Sequence, residues 1–181
     1  REQVGRTDKN STQTEKEIQH TDNLMAKLGF NRLGSFGRHG NQMFQVASIY
    51  GIAKKTGHTA HANLNDSTLK DCFEMNGVVD EIIHPDGVYP ENGFSFNEQT
   101  FTFPNDVSID CMGYFQTEKY FKHVEDDIYK IFRFRNEFLE PCQDLINQMD
   151  GDPIMLHVRR GDPNLTDPRG FKWAYTECSS Q

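Results

Sequence analysis

No stretch of this 181-residue chain holds the ~20 consecutive apolar residues that a membrane-spanning helix needs. Nor does a basic segment followed by an apolar core open it in the manner of a secretory leader. Basic side chains are in the minority, 19 Lys and Arg against 27 Asp and Glu, and the net charge of −8 speaks against a general nucleic-acid binder. Only four cysteines are present (Cys72, Cys111, Cys142, Cys178), none in a C-x-x-C pair, so a zinc site is not expected. In an oxidising lumen they would allow two disulfides with three connectivities; the alternative is a set of buried free thiols, and both stay open. There is one tryptophan, Trp173, and no internal repeat. The length suits one ordinary domain and a fragment of a second.

What is present is alternation of strand and helix patterns. Residues 1–27 are polar and charged, with few large apolar side chains, as expected of a disordered stem. Leu28–Phe36 predicts a first strand leading into a turn rich in glycine (Gly34, Gly37, Gly40). Asn41 is the expected cap of a helix reaching Thr56, with Met43, Val46, Ala47 and Tyr50 on one face, Lys54 and Lys55 at its negative end, and Gly57 as terminator. His58–Leu64 predicts a second strand, Ser67–Phe73 a short helix, and Val78–His84 a brief strand or helix. Residues 85–106 predict an ordered loop with interleaved aromatics (Tyr89, Phe94, Phe96, Phe101, Phe103), which either pack on the domain or stack on a sugar. Val107–Phe115 has the pattern of a buried strand. Helices are expected from Glu118 to Phe132, behind Thr117, and from Pro141 to Met149. The apolar run Pro153-Ile154-Met155-Leu156 predicts another buried strand running to Val158. Such alternation predicts an α/β architecture with a mainly parallel sheet.

The strongest chemical signal follows that last strand: His157-Val158-Arg159-Arg160-Gly161-Asp162. Carboxyl ends of strands are where open α/β sheets bind ligands. Adjacent guanidinium groups there present permanent charge and forked donors that match phosphate oxygens. His157-Val-Arg-Arg-Gly-Asp162 resembles the first motif of the fucosyltransferases that use GDP-fucose. Gly37-Arg38-His39-Gly40-Asn41-Gln42-Met43-Phe44-Gln45 is similar to the Gly-Arg-Leu-Gly-Asn-Gln-Met-Phe-Gln element of the alpha-1,2-fucosyltransferases, glycosyltransferase family 11. Gly113-Tyr114-Phe115-Gln116-Thr117-Glu118-Lys119-Tyr120-Phe121 is similar to that family's Gly-Tyr-Phe-Gln-Ser-Glu-Lys-Tyr-Phe. Two departures stand out: His39 replaces leucine, and Pro163 replaces the tyrosine that often follows the aspartate. The resemblance covers residues 28–165, and the family continues for roughly another hundred residues.

The resemblance implies a two-domain GT-B glycosyltransferase, with a Rossmann-like amino-terminal domain over 28–150 and only the start of the GDP-fucose-binding domain over 151–181. It implies inverting transfer of fucose from GDP-fucose to a galactose hydroxyl of a glycan acceptor, with no metal and no further cofactor. It also implies a Golgi enzyme facing the lumen, attached to the membrane through an amino-terminal anchor. The alternatives are a catalytically inactive glycan- or protein-binding remnant and an unrelated phosphate-binding α/β protein.

Each candidate residue has a chemical and a plain role. Arg159 and Arg160 would neutralise the charge that grows on the departing diphosphate, which lowers the barrier only if they bind it more tightly in the transition state. Side chains alternate along a strand, so one would face the phosphate while the other buttresses the turn. His157 either orients the turn or contacts phosphate or guanine. Asp162 fixes an arginine or the turn. Inversion calls for a base to take the acceptor proton, and Asp167 stands at a spacing similar to a catalytic glutamate of the related alpha-1,6-fucosyltransferases. Gly37, Arg38, Gly40 and Asn41 would face the donor or acceptor from the start of a helix, whose amino end favours anions. Gly113–Gln116 either packs or turns Tyr114 and Gln116 to the cleft. The sequons at Asn10, Asn65 and Asn164 favour a lumenal location.

Overall fold

A computed structural model of the protein describes residues 25–35, 37–154 and 156. The chain divides into two compact units, residues 1–139 and 140–181. The first unit is built on a five-stranded sheet, β1 (Lys27–Phe30), β2 (Thr59–Ala62), β3 (Val79–Asp80), β4 (Gly87–Pro90) and β5 (Ile109–Met112), in the order β3-β2-β1-β5-β4. Every pairing is parallel, with Leu28 opposite both Ala60 and Ile109. The expectation of an α/β fold on a parallel sheet is met, and the arrangement is compatible with a Rossmann-like domain.

Parallel strands bury both faces and need crossovers, and the first crossover is the 18-residue helix α1 (His39–Thr56). Alternate residues of the strands, Leu28, Phe30, Ala60, Ala62, Ile109 and Cys111, join Val46, Ile49, Ile52 and Ala53 of α1 in one buried cluster. Each fully buried aliphatic side chain of this kind contributes ~1.5–3 kcal/mol. Lys54 and Lys55 occupy the last turn, and Gly57, left-handed at φ 79°, ends the helix as expected. The opposite sheet face is more polar: Gly29, His61 and Asp110 lie there, and Ile83 packs so tightly over Gly29 that a Cβ would come within 2.6 Å of it.

Several boundaries differ from expectation, each for a local reason. β1 stops at Phe30 because the Asn31 side chain exchanges two hydrogen bonds with the Ile83 backbone (3.0 and 2.9 Å), turning the chain out of the sheet. The loop over 85–106 contains β4, an edge strand whose alternating burial matches one covered face. The helix expected from Glu118 is broken into 3-10 turns at Glu118–Tyr120 and Lys122–Val124 before α3 (Glu125–Ile131). The break lies where the chain crosses α1: Phe121 and Tyr120 pack against Gly51, and the His123 ring bonds to the Gly51 carbonyl at 3.0 Å. The short helix α2 (Leu69–Cys72) falls where expected. α4 (Asn136–Asn147) begins before Pro141, which sits inside it; Phe138 and Leu139 amides already donate to the Arg135 carbonyl, so the helix nucleates one turn earlier.

Of the buried strand expected over 154–158, only Ile154 and Leu156 are among the described residues, and neither is in a strand. Ile154 and Leu156 are 95% and 85% exposed, and no strand among the described residues pairs with them. Among the described residues Cys72, Cys111 and Cys142 are free thiols, so the disulfide alternative is not realised between them. No helix among the described residues is long and apolar enough to cross a membrane.

Candidate functional site

The strand order fixes where a ligand belongs. From central β1 the chain moves outward through β2 and β3, then crosses to the other side for β4 and β5. The carboxyl ends of β1 and β5 therefore lie at a topological switch point, where sheets of this kind ordinarily bind a ligand in a crevice. Two of the three sequence blocks meet there. The Gly37–Gln45 block forms the turn after β1 and the start of α1; the Gly113–Phe121 block follows β5.

The first block folds around Gly37. Its φ of +71° is a left-handed conformation, and the Asn41 side chain occupies the space a Cβ would need. Arg38, in extended conformation, is the N-cap, so α1 starts at His39, three residues before its expected beginning. Asn41 is thus not the cap. Its side-chain carbonyl accepts instead from the Gln116 amide at 2.6 Å, across 75 residues of sequence. No acidic side chain stands in the first turn of α1, and among the described residues nothing lies within 4 Å of where a Gly40 Cβ would be. The positive end of the helix dipole lies on that side. His39 bonds Thr68 Oγ1 at 2.9 Å and packs on Phe73.

The second block is held from two sides. From α1, Gln45 Nε2 donates to the Gly113 carbonyl (2.8 Å), and Ser48 Oγ donates to the Phe115 carbonyl (3.0 Å). From the end of β4, one carboxylate oxygen of Glu91 accepts the Tyr114 and Phe115 amides at 2.7 and 2.9 Å. Glu91 lies so close that a Cβ on Gly113 would come within 2.4 Å of its own. Phe115 is fully buried yet left-handed at φ 50°, a conformation that costs ~1–2 kcal/mol for a residue with a Cβ. That cost, with four hydrogen bonds to fix the turn, marks a conformation held against its local preference. Phe115 anchors the turn in the core, which is the packing role expected of the block, and Gln116 is exposed.

Beside this turn, Asp110 is buried near the end of β5 and accepts the Asn31 amide at 2.8 Å. Burial raises its pKa above the ordinary carboxylate value, with the Asn31 amide and Arg32 pulling the other way. Arg32 reaches Met112 Sδ at 3.5 Å, placing a cation beside the end of β5. Burial pushes the Cys111 thiol far up, so it is unreactive beneath the site.

The structure therefore brings together Gly37, Arg38, Gly40 and Asn41. His157, Arg159, Arg160, Asp162, Asp167 and the sequons at Asn10 and Asn164 lie outside the described residues. Asn65 is exposed in the loop after β2, its side-chain carbonyl accepting from Lys70 Nζ at 3.2 Å. Sequence reasoning missed Arg32, Glu91 and Asp110. Asp110 carried a signal, a carboxylate inside an otherwise apolar strand; Glu91 carried none, since its partners are backbone amides 23 and 24 residues away. A groove of about 750 Å³, lined by Lys27, Tyr50, Lys54, His58, Thr59 and Glu81, lies at the amino ends of β1 and β2, the end of a parallel sheet that ligands do not ordinarily use. Among the described residues no three His, Cys, Asp or Glu side chains gather as a metal ion would require.

Comparison with protein-family models, with curated proteins and with solved structures finds no match to this chain.

Proposed function

We propose that this chain is part of a GT-B glycosyltransferase similar to the alpha-1,2-fucosyltransferases, transferring fucose from GDP-fucose to a galactose hydroxyl with inversion and without a metal. One observation carries the reading: two blocks that resemble that family, separated by about seventy residues, are joined by the Asn41–Gln116 bond at the switch point of a parallel sheet. A chance resemblance gives no reason for the matching segments to converge on the crevice where such sheets bind ligands.

In this reading the crevice is one wall of the reaction site. Arg159 and Arg160 hold the diphosphate and stabilise it as it leaves, His157 and Asp162 orient their turn, and Asp167 takes the acceptor proton. Arg38, Gly37, Gly40 and Asn41 face the donor or acceptor from the open amino end of α1. The work is done in the Golgi lumen, where exposed Asn65 is a glycan site.

Calorimetric titration with GDP-fucose tests this. The expected result is saturable heat with GDP-fucose and GDP, lost in Arg159→Ala and Arg160→Ala, together with transfer of labelled fucose to a β-galactoside. No nucleotide binding refutes the reading, as does equal affinity for ATP.

A further inference from the structure

The sequon Asn65-Asp66-Ser67 is exposed at one end and buried at the other. Asn65 and Asp66 face solvent, whereas Ser67 is only 5% exposed. The Ser67 hydroxyl is used in both directions. Its Oγ donates to Gln42 Oε1 at 2.7 Å and accepts the Leu69 amide at 3.1 Å. A serine hydroxyl has one proton to give, so no donor remains. Gln42 is itself buried near the start of α1, and its bond ties the sequon to the helix that opens the candidate site.

The backbone is held as well. The Ser67 amide donates to the Leu64 carbonyl at 3.2 Å, closing a turn over 64–67. Before the turn, the Leu64 amide donates to Asp80 Oδ1 at 2.9 Å, and the Asn63 amide to the Phe30 carbonyl at 3.2 Å. Leu64 and Leu69, which bracket the turn, belong to the hydrophobic core.

The acceptor motif requires a hydroxyl two residues after the asparagine, so a glycan-transferring enzyme must reach both side chains at once. In the folded protein it can reach only one. Bringing Ser67 out breaks both of its bonds and the turn, and it draws the flanking leucines from the core. Exposure of the asparagine is therefore not sufficient here.

We propose that folding closes the Asn65 sequon: a glycan is transferred to Asn65 only while residues 63–69 are unfolded, and capture of Ser67 by Gln42 ends that window. The proposal rests on the lumenal part of the transferase reading. In the step, Asn65 Nδ2 bonds to the anomeric carbon of an oligosaccharide carried on a lipid diphosphate. The bond from that carbon to the diphosphate oxygen breaks, the diphosphate leaves with the electron pair, and one amide proton passes to a base of the transferring enzyme. The attached glycan is compatible with the finished fold, because Asn65 is exposed and, among the described residues, only its side-chain carbonyl is bonded, to Lys70.

A purified oligosaccharyltransferase with a lipid-linked oligosaccharide tests the closure, modification of the chain being read by mass mapping of the tryptic peptide 56–70. A synthetic peptide of residues 60–72 should be modified. The folded chain at the same concentration should be modified at Asn65 about a hundredfold more slowly, the scale of two buried hydrogen bonds. Gln42→Ala, its retained fold checked by circular dichroism, should raise the folded-chain rate about tenfold, the scale of one. Lys70→Ala frees the Asn65 carbonyl but leaves Ser67 bound, and should keep the wild-type rate. Equal rates for folded chain and peptide overturn the proposal, as does a peptide that is not modified. A folded Gln42→Ala chain with the wild-type rate, or a Lys70→Ala chain as fast as the peptide, also overturns it. Should Gln42→Ala unfold, the wild-type chain against the peptide still decides. The purified reaction is separate from nucleotide binding. A chain that takes no GDP-fucose yet shows the rate difference sinks the transferase and spares the closure; GDP-fucose binding with equal rates does the reverse.

Discussion

Replacing Glu91 by alanine should loosen the Gly113–Gln116 turn while leaving the sheet intact. One carboxylate oxygen accepts two backbone amides at 2.7 and 2.9 Å, and these bonds face a residue held at positive φ. A hydrogen bond to a charged group contributes ~1.5–3 kcal/mol where water cannot replace it. Glu91 is half-buried, so water regains part of this and the net loss should be about 2–3 kcal/mol, less than the sum of two such bonds. For a chain of this size that lowers the melting temperature by roughly 5–10 °C. Glu91→Gln keeps a carbonyl acceptor and should lose about half as much. Melting followed by circular dichroism gives the global effect. Amide exchange by NMR gives the local one, with the Tyr114 and Phe115 protons exchanging faster than those of β5. An alanine variant that melts with the wild type and keeps slow exchange at both amides refutes the clamp.

Three further outcomes follow from the packing and the titrating groups. Gly51→Ala should destabilise by ~1–3 kcal/mol in chemical denaturation despite alanine's better helix propensity, because the new Cβ would stand 2.3 Å from the Tyr120 carbonyl and the crossing segment would have to shift. Asp110 has its carboxyl raised above the ordinary 3.8 by burial, so its penalty is absent below that value and grows as pH rises through the raised one. Asp110→Asn keeps an acceptor for the Asn31 amide and should be as stable as the wild type or more so at neutral pH, the difference vanishing in acid; a variant destabilised at pH 7 contradicts this. Iodoacetamide under native conditions should label exposed Cys142 and spare buried Cys111 until the protein is denatured, as peptide mass mapping would read.

The sheet and α1 were legible because their patterns are local. Alternation marks β2 and β5, and the apolar positions of α1 recur at helical spacing between a glycine turn and Gly57. β4 was not legible, since its residues Gly87-Val88-Tyr89-Pro90 look like turn chemistry and become a strand only by pairing with β5. The continuous helix expected from Glu118 failed for a related reason: its apolar spacing is helical, but contact with Gly51 imposes a different path on Phe121. At the site, Gly37 declared itself by composition. Asn41 did not, because a cap and a cross-loop partner use the same residue type, and only the fold brings Gln116 within reach. Among the loop aromatics, nothing in the local sequence distinguishes exposed Phe94 from packed Phe96.

The central position of β1 bears on how the chain matures. Its second neighbour, β5, lies 81 positions later by the Lys27–Ser108 contact. During synthesis, the strand destined for the middle of the sheet waits with an unsatisfied edge while those 81 residues emerge. Non-local pairing of this kind is slow and prone to aggregation. Recombinant yield should therefore respond more to translation rate and chaperone supply than to mutations that strengthen the finished core.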